Sequence, residues 1–417
     1  MAKRLPPLRN DLEVMPSPVP DRPGVLIRDA LGFANGILII PPPLVPALAC
    51  FDGTSSELDL RAALTRATGE IEVGDLVRNV LGTLADGGFL ENAAYLRLRD
   101  DKRQAFSAAS RREPAHAGQA YPEEAPALRE ALRGYAAAAG VAATQTAGGQ
   151  TSEAAPARPP LAIAAPHVSP EGGFRSYAAA FSRLGPELRE RTFVVLGTSH
   201  HGEPDHFGLT RKPYVTPFGP TRTDPDRVER FARAAGEAAL AEDYCHAVEH
   251  SIEFQVVYLQ HAVAPDVRVV PILVGPFATA LLRGGRPEDD PALARAFDAL
   301  AALREGEGGA PVFVLGIDMA HVGRRYGDRF SARAGEGRML EVEQRDRGRI
   351  ERALAPDTEA FWALVQEGRD PLRWCGASAL YAFLRAIAPG PGHLLRYEQW
   401  NIDPRSVVSF AALEWEA

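Results

Sequence analysis

The sequence predicts an α/β protein, a mostly parallel sheet covered by helices on both faces, preceded by a small winged-helix-like α+β domain. Three observations carry that expectation. After residue 161, short β-branched runs alternate with stretches of helical spacing, the pattern of strands joined by crossover helices. Three apolar runs, LAIAAPH, RTFVVLGTSHH and PVFVLGIDMAH, stop abruptly on histidines, at the ends of strands where α/β sheets gather ligand groups. Before residue 99 the rhythm differs, with two short strands followed by short helices.

At 417 residues the chain is long for one domain, and its 46% hydrophobic content supports a sizeable core. A formal charge of −8 opposes non-specific attraction to nucleic acid or to an anionic membrane. No apolar run approaches the ~20 residues that span a bilayer. The opening MAKRLPPLRN lacks the apolar core of a secretion signal. Cys50, Cys245 and Cys375 are too few for a disulfide framework, which fits a reducing cytoplasm.

Residues 1–20 are proline-rich and aperiodic, and are expected to form a flexible arm. Strands are expected at 24–28 and 36–40, the second stopped by Pro41–Pro43. Helices follow at 44–51, 58–67 and 73–86, and Phe89-Leu90 turns back toward a closing wing. The domain is bounded at 21–98. Winged helices often read DNA, but residues 44–92 hold eight acids against three arginines. A DNA reader needs the opposite sign, so a peptide or protein partner is expected instead.

Residues 99–111 are charged and patternless, as a linker would be. A helix is expected at 122–135, then a flexible insertion at 136–160 with no amphipathic face. Strands are expected at 161–165, 192–197, 267–274, 311–317 and 405–414. Between and around them helices are expected at 173–183, 226–239, 251–263, 291–303, 341–353, 357–366 and 376–387.

His167 and His200 end the first two of these strands, and two neutral imidazoles on neighbouring loops suit a divalent transition metal. Histidines at strand ends also cap loops, and that reading stays open for either one alone. His201 diverges from its neighbour and is expected to contact substrate or to support His200. Cys375 stands at a helix start, where free N–H groups favour the thiolate that a metal requires. A buried small hydrophobe is the alternative for it. Glu249 and His250 precede a helix whose Ile252, Val256, Leu259 and Val263 face the core, so His250 stands at the mouth of the cleft. Asp318 stands three positions before His321, where it either orients the imidazole for acid–base work or caps the next turn.

The motifs APH (165–167), LGTSHHG (196–202), TPFGPTRTD (216–224), VEHSIEFQ (248–255), GIDMAHVG (316–323) and WCGASAL (374–380) together resemble the ordered set of the Memo family. Its bacterial and archaeal members are called AmmeMemoRadiSam system protein B. PAHAGQAYP (114–122) is similar to that family's opening segment, so the resemblance runs over 112–417. It implies a fold like that of class III extradiol dioxygenases, with a non-haem metal pocket. It further implies His167, His200 and Cys375 as metal ligands, with His250, Asp318 and His321 as the polar residues around them. In the dioxygenases the third ligand is a carboxylate, so a thiolate turns the preference toward copper or thiolate-tolerant iron. The family's PHAGY is PHVSP here, which alters the loop beside His167. Residues 21–98, with FDGTSSELDLRAAL at their centre, resemble PqqD-like peptide-recognition domains.

Two functions follow as expectations. One is a metal-dependent redox enzyme, dioxygenase- or oxidase-like, in which His250 and His321 move protons. The other is a module that binds a peptide or ligand in the same cleft without catalysis. The first requires His167, His200 and Cys375 to converge on one point.

Overall fold

The structure is a computed structural model that describes residues 4–17, 19, 21–140, 159–306, 308–355 and 357–416. The chain divides into two units, Met1–Ala109 and Ser110–Ala417.

In the first unit, β1 (Glu13–Pro16), β2 (Val25–Arg28) and β3 (Ile37–Ile40) form an antiparallel sheet in that order. A 3₁₀ turn over Pro42–Cys50 leads to helices Glu57–Thr68 and Gly74–Asp86. Ser56 and Asp59 cap the first of these reciprocally, and Gly69 ends it in the left-handed conformation.

Three expectations change here. The opening residues are not a loose arm, because Leu5 and Arg9 are buried, Arg9 pairs with Asp29 at 2.8 Å, and β1 is a strand of the sheet. Its backbone groups find partners although its side chains lack period. Residues 99–108 are not a linker but the greater part of a helix, Ala93–Ala108, started by the Asn92 cap. None of its side chains is buried, so it carries no apolar stripe to read. Among the described residues, the stretch after Gly88 makes one bridge, Leu90 with Leu8, and no closing wing.

The second unit is built on a nine-stranded sheet. Its strands are β4 (Pro160–Ala165), β5 (Thr192–Thr198), β6 (Phe207–Leu209), β9 (Arg222–Thr223), β10 (Arg268–Val274), β11 (Val312–Gly316), β12 (His321–Gly323), β13 (Gly392–Asp403) and β14 (Ser406–Glu416). The intervening β7 (Val215–Thr216) and β8 (Gly219–Pro220) form a separate short ribbon. The centre is parallel, in the order β4-β11-β5-β10. The flanks are antiparallel, with β6 on β10, and β14 pairing β4, β12 and β13. The sheet is therefore mixed rather than mostly parallel. The cause is β13, whose half-buried sequence GHLLRYEQWNID lacks the apolar run of a central strand yet forms a long hairpin with β14.

Continuous apolar runs are what a sheet covered on both faces requires. Along β5, Val194 and Leu196 enter one core and Phe193 and Val195 the other. The first core takes in residues of helices Pro225–Ala235, Pro291–Ala302, Arg338–Leu354, Thr358–Gln366 and Ala377–Ile387. The second is closed by helices Ala125–Ala138, Pro170–Phe181 and Glu253–Ala262. Of the expected insertion at 136–160, residues 136–138 complete a helix, and 141–158 lie outside the described residues. Among the described residues, no helix is long and apolar enough to cross a membrane.

Candidate metal centre

Parallel neighbours in the sheet put their carboxyl ends side by side. β4 leads into His167, β11 into Asp318, and β5 into His200 and His201. A fourth segment, Glu249-His250-Ser251, is pressed against the ends of β5 and β11, where the Ser251 hydroxyl donates to the Thr198 carbonyl at 2.8 Å. Glycine makes this approach possible. A Cβ at Gly316 would stand 2.3 Å from the Ser251 carbonyl oxygen, and one at Gly197 would stand 2.5 Å from the side chains of Ile252 and Ser251.

Three imidazoles meet there. His167, His200 and His250 each offer a ring nitrogen, all within 4.8 Å of one another. Each ring is held through Nδ1. That of His167, a buried residue, donates to the Gly316 carbonyl at 2.9 Å. That of His200 lies 3.1 Å from both oxygens of Glu249, and that of His250 lies 3.1 Å from one of them. These partners are acceptors, so Nδ1 carries the proton and Nε2 is left to face a ligand.

Glu249 is fully buried and also accepts the backbone N–H groups of His200, His250 and Ser251, at 2.9, 2.8 and 3.0 Å. Burial opposes its charge, but the charges and ring hydrogen bonds of His200 and His250 hold its pKa well below the carboxylate range. For His200, burial again opposes the charged form. Glu249 and the Cys375 thiol outweigh it and hold the imidazole pKa well above its ordinary value. A metal ion would displace that second proton from Nε2. His167 is the opposite case, pushed well down by burial and by the two neighbouring imidazoles.

Cys375 reaches the site, with Sγ 3.3 Å from Nε2 of His167 and 3.7 Å from the Asp318 carbonyl oxygen, though it stands outside the three-histidine group. It does not stand at the expected helix start. The helix begins at Ala377 with Gly376 as its cap, so Cys375 lies before the cap, and in the metal-free chain burial pushes its pKa up toward the thiol.

Asp318 does not orient His321. Its Oδ1 accepts the N–H groups of His167 and Val168 at 2.8 and 3.3 Å, and its Oδ2 lies 3.5 Å from His167 Nε2. Burial pushes its pKa up to about 7. His321 is held instead through Nδ1 by the carbonyls of Met319 and Arg373, at 2.9 and 3.1 Å. Burial keeps its pKa at about 4, so it is neutral. The His201 ring lies 6.2 Å from that of His200 and outside the group.

Three residues near the site escaped sequence reading. Arg112 and Glu253 are fully buried and form an ion pair under the Glu249 segment. The His116 ring stands edge-on to His250, with centroids 5.6 Å apart. The available signal was an acid in the first turn of a helix with an otherwise apolar face. Two surface clefts, of about 300 Å³ beside Asp224 and Arg230 and about 410 Å³ beside Trp362 and Tyr381, include none of these residues in their linings.

Comparison with known proteins agrees with the motif reading. Residues 112–414 match the family model described as Memo-like protein. The chain is 26% identical to a MEMO1 family protein of Aquifex aeolicus over 392 residues, 93% of this chain and 95% of the relative. It is 27% identical to MEMO1 family protein PH1626 of Pyrococcus horikoshii over 319 residues, 73% of this chain and 98% of the relative. The matched region opens at Arg112 and takes in every histidine of the group, together with Glu249, Asp318 and Cys375. On the family model and these long matches, the chain belongs to the Memo-like family.

Proposed function

We propose that the protein is a metal-dependent redox enzyme whose ion is held by His167, His200 and His250, with Cys375 as an adjacent sulfur donor. The observation that carries this reading is the meeting of one ring nitrogen from each of three histidines within 4.8 Å of one another, with every Nδ1 set against a carbonyl or Glu249. Metal-binding histidines are oriented in this way by the partners behind them. His250, expected from the sequence to move protons, is here reassigned to the donor set.

Imidazoles with a thiol nearby suit iron or copper. When bound, either ion supplies one-electron chemistry and polarises a coordinated substrate. The chain's own residues supply the rest. Glu249 fixes two rings and keeps a negative charge behind them. Asp318 stands beside His167, where its carboxyl is able to take up or release a proton. The N-terminal unit presents Ile37, Leu58, Ile71 and Leu96 as exposed apolar side chains, which favours a peptide or protein partner over nucleic acid.

The redox reading is tested by loading the protein anaerobically with iron(II) or copper(I) and following the metal by electron paramagnetic resonance. Reversible oxidation by dioxygen of an ion bound at one per chain supports it. Uptake of zinc alone, with neither iron nor copper retained, would sink the redox part.

A further inference from the structure

The segment carrying Glu249 and His250 is held in place from outside. It lies between the short helix Cys245–Val248 and the helix Glu253–Ala262, and the residues that grip it come from 112–121, more than 120 positions earlier in the chain. Arg112 is wholly buried. Its Nε donates to the His246 carbonyl and one Nη to the Glu249 carbonyl, each at 2.8 Å, so one guanidinium spans both ends of the turn. Its other Nη pairs with the carboxylate of Glu253, at the far end of the segment. Glu253 also accepts the backbone N–H groups of Ala115 and His116, each at 3.0 Å, and the hydroxyl of Tyr121. His116 Nε2 donates to the Val248 carbonyl at 2.9 Å, while its ring packs edge-on against His250.

We infer that Arg112 and Glu253 are positioning residues. Together they clamp residues 246–253 so that Glu249 meets the Nδ1 atoms of His200 and His250 at once. The argument is geometric. Glu249 serves two rings on different segments, and a displacement of its backbone by a fraction of an ångström would lengthen one of these bonds as it shortened the other. A buried carboxylate that has lost one of its donors also loses the match that keeps both imidazoles aimed. Guanidinium is the group for this task, because its planar fork reaches a carboxylate and two carbonyls in one plane, whereas an ammonium acts as a single point charge. The inference rests on the metal reading for its consequence, but the clamp itself exists without a metal.

The test uses the full chain and two variants. R112M/E253Q removes both buried charges together and leaves one amide oxygen, which replaces the acceptor of either the Ala115 or the His116 N–H group, since these bind different oxygens of Glu253. Arg112→Lys keeps the charge but not the fork, and serves if the double variant does not fold. In metal-free protein, nitrogen-resolved nuclear magnetic resonance of the imidazoles reads whether the Nδ1 protons of His200 and His250 are hydrogen-bonded. Zinc titration, with Zn²⁺ alone as the probe, reads affinity. A folded variant should lose the protected Nδ1 signals and bind zinc about 10- to 100-fold more weakly. A folded variant with wild-type imidazole signals and wild-type zinc affinity overturns the clamp. Should the wild type itself bind no metal, the metal reading falls, and the imidazole signals still decide whether the clamp exists.

Discussion

The two sides of the histidine group are built differently. His200 and His250 lean on a carboxylate, Glu249, which is fixed by backbone N–H groups and carries full charge. His167 leans on a carbonyl, and the carboxyl beside it, Asp318, is spent on the backbone of residues 167–168. Glu249 thus orients side chains and Asp318 shapes a loop. The contrast teaches that an acid near a histidine is not evidence of function until it is known which atoms it holds.

The largest expected effect on metal affinity is at Glu249. Glu249→Gln removes the charge behind two rings and sets an amide N–H against donors, so zinc affinity should fall about 10- to 100-fold. Asp318→Asn keeps the oxygen that accepts from His167 and Val168, and should change affinity less than Glu249→Gln does. Calorimetric titration of both variants checks the order, and equal losses would erase the distinction between the two sides.

Acid should weaken the Glu249 side. His246 is buried beneath it, with Nδ1 2.8 Å from the Tyr214 hydroxyl and Nε2 3.1 Å from the Gly208 carbonyl. Burial depresses its pKa from 6.5 to about 4, so the folded state requires the neutral ring. Its contribution is full above pH ~6.5 and is lost as pH falls toward ~4, at most about 3 kcal/mol by linkage. Denaturant unfolding between pH 7 and 4 should show this slope flattened in His246→Gln. An unchanged slope would remove His246 from the account.

Next in size is the close approach at the strand end. Gly316→Ala drives a methyl into the Ser251 carbonyl and should cost about 1–3 kcal/mol, measurable as a lowered denaturant midpoint. The smallest effect is expected on the other side of the group. Cys375→Ser should lower zinc affinity by less than about tenfold if three imidazoles suffice, a difference below roughly 1.4 kcal/mol. A total loss of binding would restore Cys375 to the primary set.

Much of this arrangement was legible in the residues. The runs ending on His167, His200 and Asp318 are central strands, and Gly197 and Gly316 at the ends of the last two are glycines that the close approach of Ser251 and Ile252 requires. Helix spacing located Glu253–Ala262 and Ala377–Ile387 to within two residues of their ends. What escaped depends on pairing across the chain. Strand β13 is held by its hairpin partner and has no pattern of its own. The Arg112–Glu253 pair joins residues 141 positions apart, and nothing local marks either as a partner of the other. Asp318 and His321 are three positions apart, yet the strand end turns the carboxyl toward residues 167–168. Proximity in sequence suggested a contact that the backbone does not make.

The most direct measurement is the metal content of the full chain purified without added metal and then dialysed against a weak chelator, beside the variant His167→Ala/His200→Ala/His250→Ala. About one transition-metal ion per chain in the wild type, and close to none in a folded triple variant, is the expected result. A wild type that retains no iron, copper or zinc even after anaerobic loading, or a triple variant that retains as much as the wild type, would contradict the assignment of these three histidines.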